Sequence, residues 1–197
     1  MKIRHVSSAV ASRGDAVFVL APDGRIDAGK PLADALKNAK ATGDLSSDFR
    51  SVVVFHQPGR SGLKRLGVVG VGKPSEVTTE RIRRVAALAQ ARAAAHEVAG
   101  FSVVVPANVI KKQKPLAAGM AIAEGLVLGS YAYKAPRKEA AKKPHAAQVQ
   151  VAAVGLSKVD EAEFARGLGL GAQSAEGTVV ARDLGNQPAN ILTPTAM

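Results

Sequence analysis

Five short apolar runs recur along the chain: AVFVL (16–20), SVVVFH (51–56), LGVVGV (66–71), FSVVVP (101–106) and VQVAAV (149–154). Each is bounded by Gly, Pro or charge, and each is continuous in Val rather than alternating. That is the pattern of β-strands covered on both faces. Helical stretches lie between them. TTERIRRVAALAQARAAAHE (78–97) puts Ile82, Val85, Ala86, Ala89 and Ala93 on one stripe, with Arg81, Arg83, Arg84 and Arg92 mostly off it. Thr78 or Thr79 is placed to cap this helix, and Glu80 faces the positive end of its dipole. Leu116, Met120, Ala123, Val127 and Tyr131 step at helical spacing and predict a second buried face. The alternation predicts a three-layer α/β fold, with a mixed, largely parallel sheet flanked by helices on both faces.

The last third changes character. Ser157 and Asp160 in SKVDEAEF have the spacing of a capping box, and three acids crowd the first turn. Phe164, Leu168, Ala172, Ala175 and Val179 then carry the helical period on to about Leu184. Gly167, Gly169, Gly171 and Gly177 interrupt it, each costing roughly 1 kcal/mol relative to Ala in an exposed interior. Glycines in such number imply close approach to another backbone, or a mobile connector. The chain accordingly divides into an α/β domain at 1–156 and a long C-terminal linker helix with an Asn/Pro-rich junction at 157–197.

Composition narrows the chemistry. Hydrophobic residues make up 47% but aromatic residues only 4%, with no Trp, so the core must be built from Val, Leu, Ile and Ala. The chain has no Cys, which excludes a disulfide framework, a thiolate metal site and a cysteine nucleophile, and fits a cytoplasmic address. MKIRHVSSAV lacks the apolar segment of a signal peptide. The stretch nearest to a membrane span, PLAAGMAIAEGLVLGSYAY, is interrupted by Glu124 and rich in Ala and Gly, and reads as a buried helix.

The formal net charge is +11. Two basic runs contribute: Lys111, Lys112 and Lys114, then Lys134, Arg137, Lys138, Lys142 and Lys143. Such runs can meet the phosphates of DNA, or they can be solvated loops that keep a domain soluble. No aromatic residues are interleaved to stack on bases, which counts against single-strand binding.

GVVGVGKP (67–74) matches the phosphate-loop pattern for seven positions, but Pro74 stands where a Mg²⁺-binding hydroxyl belongs. Its valines make the segment a strand, whose glycines are expected to admit close helix packing. His5, His56, His96 and His145 are scattered. HEVAG (96–100) begins like a zinc-peptidase helix but has Gly100 where a second histidine would be needed. There is no Gly-x-Ser-x-Gly elbow. Asp160, Glu161 and Glu163 form the tight acidic cluster, and a helix start already accounts for them. No catalytic, cofactor-binding or metal-ligating residue is assigned within 1–197.

RDLGNQPANILTP (182–194) resembles the junction of the leucyl aminopeptidase, or cytosol aminopeptidase, family (M17). That pattern is Arg-x-Leu-x-Asn-x-Pro-x-Asn-x-x-x-Pro, matched by Arg182, Leu184, Asn186, Pro188, Asn190 and Pro194. Members often carry a larger residue at Gly185, and Thr and Pro where this chain has Gln187 and Ala189. AEGLVLGSYAYKAPRK is similar to a family helix ending in Glu-Gly-x-x-Leu-Gly-x-Tyr-x-Phe/Tyr, through Glu124, Gly125, Leu128, Gly129, Tyr131 and Tyr133. RLGVVGVGK is similar to the family's central strand.

The resemblance implies a macrodomain-like N-terminal domain of a two-domain exopeptidase that removes N-terminal residues, leucine by preference. It implies two divalent ions (Mn, Zn or Mg) and a homo-hexamer in the cytoplasm with active sites facing an interior cavity. In the family the metal ligands and catalytic residues belong to the C-terminal domain, whose signature stretches are absent here. Residues 1–197 alone are therefore expected to hydrolyse nothing, and to serve assembly and peptide access. No membrane partner is expected. Some bacterial members also act as DNA-binding accessory proteins, which makes a DNA-binding module the alternative. A macrodomain-like ADP-ribose binder is a third reading, by fold analogy alone.

Overall fold

The computed structural model describes residues 1–7, 16–24, 26–56, 63–133 and 148–188. Among these residues six strands form one sheet: β1 (Lys2–His5), β2 (Ala16–Pro22), β3 (Val52–His56), β4 (Arg65–Gly72), β5 (Gly100–Pro106) and β6 (Gln148–Val154). Their order is β1-β6-β5-β2-β4-β3. Neighbours run parallel except β3, which pairs antiparallel with β4 at the edge. All five apolar runs became strands. β1 lay outside the expectations, because its four residues are too short and too polar to show a period.

Among the described residues, five α-helices accompany the sheet: α1 (Lys30–Ala41), α2 (Thr79–Ala95), the single turn α3 (Ala107–Ile110), α4 (Pro115–Gly129) and α5 (Lys158–Asn186). Central strand β2 shows why its apolar run is continuous. Val17, Val19 and Ala21 pack with Leu32, Ala35, Leu36 and Ala39 of α1 on one face. Ala16, Phe18 and Leu20 belong to the core beneath α2, α4 and α5 on the other. With helices on both sides, every position of β2 meets an apolar layer.

Thr78 caps α2, its hydroxyl accepting from the Arg81 N–H at 3.2 Å. The helix stops at Ala95, short of the expected stretch, because Glu97 adopts φ 54° while its N–H and that of Val98 return to Ala94 and Ala93. A left-handed residue ends a helix whatever its side chain. Ser157 caps α5, accepting from the Asp160 N–H at 3.2 Å and donating to the Asp160 carboxylate at 2.8 Å.

Helix α4 corrects one expectation. It lies between α2 and α5, so Ala118, Ala121, Ile122 and Leu126 are buried as well as Ala123 and Val127, whereas Leu116 and Met120 are only half-buried. A helix with neighbours on several sides has no single buried stripe. Tyr131, the last member of the expected stripe, lies past the helix end.

The glycines divide by environment. A Cβ on Gly167 would fall on the Leu116 carbonyl, one on Gly171 on the Met120 carbonyl, and one on Gly119 on the Phe164 carbonyl. These three let the α4 and α5 backbones approach. Gly169 and Gly177 face open space. In β4, Gly67 makes room for the Phe18 ring and Gly70 for the loop at 47–51, not for a helix as the sequence suggested.

Candidate functional site

The stretch from Glu124 to Tyr133 and the stretch from Arg182 to Pro188 meet at the free end of α5. Glu124 comes first. Its Oε2 accepts from Nε and Nη2 of Arg83 on α2, both at 2.7 Å, and only 15% of its side chain is exposed. Arg83 also pairs with Glu80, which accepts in turn from Arg84 Nε at 2.8 Å. Hydrogen bonds from Arg84 and then Arg83 hold the Glu80 carboxyl below its ordinary range. Burial works against the charge on Arg83, but Glu124 and Glu80 outweigh it and raise its pKa.

Gly125 sits against the Arg83 carbonyl and Ala86, and Gly129 against Ala87. The Glu-Gly-x-x-Leu-Gly spacing is thus a device for helix contact: two glycines admit α2, and the carboxylate between the helices fixes their register.

Beyond that contact the chain turns and presents Tyr131. Its hydroxyl donates to Asp183 Oδ1 at 3.0 Å and accepts from Asn186 Nδ2 at 3.2 Å. Asn186 Nδ2 also reaches the Arg182 carbonyl at 2.8 Å, and the Arg182 guanidinium lies 5.5 Å from the centre of the Tyr131 ring. Desolvation is the chief cause raising the Tyr131 pKa; the bond from Asn186 opposes it and the Asp183 bond reinforces it. A cleft of about 600 Å³ opens beside this knot, lined in part by Met1, Tyr133, Val179, Val180 and Gln187. Val180 and Leu184 are exposed here. The arrangement restrains the end of α5 through Tyr131. It can fix a direction and offer a surface.

Other sequence candidates fall elsewhere. Lys111, Lys112 and Lys114 are exposed in the turn between α3 and α4, and Lys112 Nζ donates to the Ser75 carbonyl at 2.9 Å. Lys134, Arg137, Lys138, Lys142 and Lys143 lie outside the described residues, as do His145, Asn190 and Pro194. Glu161 lies 3.3 Å from His5, and Glu163 3.5 Å from Arg166. Among the described residues no group of three or more His, Asp or Glu could hold a metal ion, so a two-ion centre does not fit them. No described helix is long and apolar enough to cross a membrane.

Sequence reading missed that Tyr131 closes on Asp183, since neither periodicity nor spacing links positions so far apart. It missed equally that His56 and His96 come together.

Sheet order, the Glu124 contact and the Tyr131 knot define a class: an α/β domain whose last helix is tied back to it past its packed length. Residues 16–140 match the family described as the cytosol aminopeptidase family, N-terminal domain, and the chain belongs to that family. It is 35% identical over 170 residues to a probable cytosol aminopeptidase of Roseiflexus castenholzii, covering 85% of this chain and 33% of that protein. It is 33% identical over 177 residues to the chloroplastic leucine aminopeptidase 2 of Oryza sativa, covering 84% and 27%. The chain thus spans about a third of the length of these relatives. Among solved structures, a tomato leucine aminopeptidase mutant superposes with a TM-score of 0.74 at 21% identity, covering 100% of this chain and 40% of that one. The bottromycin maturation enzyme BotP, in complex with Mn, superposes with a TM-score of 0.64 at 25% identity over 92% and 34%.

Proposed function

We propose that this chain is the non-catalytic N-terminal part of a metal-dependent leucyl aminopeptidase that releases N-terminal amino acids, leucine by preference, from peptides. Residues 1–156 make the α/β body, and 157–197 the linker helix and junction. The observation that carries the reading is the convergence of both motif stretches on Tyr131, which ties the direction of α5 to the α2–α4 pair. A helix held this way serves as a spacer of set angle toward a catalytic domain. The share of each relative that lies outside the match supports a separate catalytic part.

The pair of divalent ions (Mn, Zn or Mg) belongs to that part, and no reaction step is assigned to residues 1–197. Their role is assembly into a homo-hexamer in the cytoplasm and shaping the route of peptides to the active sites. The test is direct. Residues 1–197, purified and supplied with Mn²⁺, should release no chromophore from a leucyl chromogenic amide. Turnover by this polypeptide would overturn the proposal.

A further inference from the structure

At the end of the sheet where β4 begins, four cationic or protonatable side chains come together from three elements. His56 is the last residue of β3, and its partner across the antiparallel pair is Arg65, the first of β4. Helix α2 ends in the same place. It supplies Arg92 and, one turn on, His96 at its C-cap. The two imidazoles meet edge to face with centroids 5.6 Å apart.

None of the four makes an ion pair among the described residues. Arg65 Nε is buried with no hydrogen-bond partner. Lys64 and Glu97 border the group in sequence, and each has an interaction of its own. Burial, followed by the positive potential of His56, Arg65 and Arg92, holds the His96 imidazole below its ordinary pKa of 6.5.

Cations gathered this way repel one another and disfavour further protonation. A divalent metal would add to that repulsion, although two imidazoles by themselves suit one. An oxyanion reverses it: two guanidinium groups offer forked N–H donors, and each imidazole offers one N–H when neutral and two when protonated. We propose that His56, Arg65, Arg92 and His96 form a binding site for a phosphate-class oxyanion, free or carried on a small molecule. The site lies apart from the Tyr131 knot and does not depend on the aminopeptidase reading. Because the anion favours the imidazolium form, binding takes up protons, and affinity rises as pH falls through the ordinary histidine range.

The test follows the ¹H–¹³C ring signals of all four histidines in the 197-residue chain during titration with sulfate. Sulfate stays a dianion throughout, whereas phosphate esters protonate near about pH 6. The His56 and His96 signals should move saturably, and more tightly at about pH 6 than at about pH 8. His5 serves as the internal control and should stay still. Arg92 is exposed, so Arg92→Gln should leave the fold intact and weaken binding about tenfold, with Arg92→Lys recovering part of it. His96→Gln should flatten the pH dependence.

Inorganic phosphate and glycerol 2-phosphate, titrated side by side, distinguish the sources. Tighter binding of the ester assigns a phosphorylated small molecule, and equal or weaker binding assigns the free ion. Unsaturable shifts, equal movement of His5, or indifference to Arg92→Gln would each overturn the site.

Discussion

Tyr131 and Asp183 stand 52 positions apart in sequence and share a 3.0 Å hydrogen bond that fastens the last turns of α5 to the end of α4. Beyond Ala175 the helix buries no further residue. Side-chain bonds at Tyr131 therefore add a restraint on its final turns.

Replacing Tyr131 with Phe keeps the ring and removes both hydroxyl bonds. Amide exchange measured by mass spectrometry should quicken over 179–187 and stay unchanged over 160–171, where Phe164 and Leu168 are buried. Uniform exchange along α5 in wild type and variant would show that the knot restrains nothing.

The four interior glycines of α5 should respond in opposite directions to the same change. Gly169→Ala and Gly177→Ala meet open space and should raise stability by about 0.5–1 kcal/mol, because Ala has the better helix propensity. Gly167→Ala and Gly171→Ala drive a methyl group into a carbonyl of α4 and should lower it by roughly 1–3 kcal/mol. Calorimetric melting of the four variants checks the contrast.

The Arg83–Glu124 pair should matter more than an exposed one. Glu124→Gln weakens a charged contact between two helices and should cost about 1–2 kcal/mol in urea unfolding. Glu163→Gln, at the solvated pair with Arg166, should change stability by less than about 0.5 kcal/mol. Equal losses would mean that the α2–α4 contact rests on the glycines alone.

Two groups should make wild type lose ground to its variant as pH falls, each in its own range. The Glu80 carboxyl is held below its ordinary 4.5 by Arg84 and Arg83, so its contribution is present above that value and lost as pH falls beneath it. The melting gap between wild type and Glu80→Gln should close in acid. His96 is held below 6.5, chiefly by burial, so the unfolded chain takes up its proton first and folding weakens as pH drops through that range. His96→Gln should therefore gain on wild type between neutral pH and the acid side of 6.5.

The strands were legible because their cause is local to the pattern. A run such as AVFVL stays apolar at every position only where both faces are covered, and β2 is covered by α1 on one side and α2 and α4 on the other. Lys2–His5 gave no such signal, because a four-residue edge strand is half exposed. The end of α2 was obscured by Glu97, since left-handed backbone is usually announced by Gly or Asn. In α5 the glycines were plain to see, but not which of them touch anything.

The amino-acid order by itself determined the five long strands, the capped starts of α2 and α5, the family pattern, and the absence of cysteine chemistry. Those follow from hydrophobic period, cap preference and residue type, all properties of near neighbours along the chain. Only the tertiary structure decided that Tyr131 closes on Asp183 and Asn186, that Gly167 and Gly171 admit α4 while Gly169 and Gly177 admit nothing, and that His56 and His96 share one end of the sheet. Periodicity records that a side chain is covered, whereas the identity of what covers it depends on crossover connections that bring distant segments side by side.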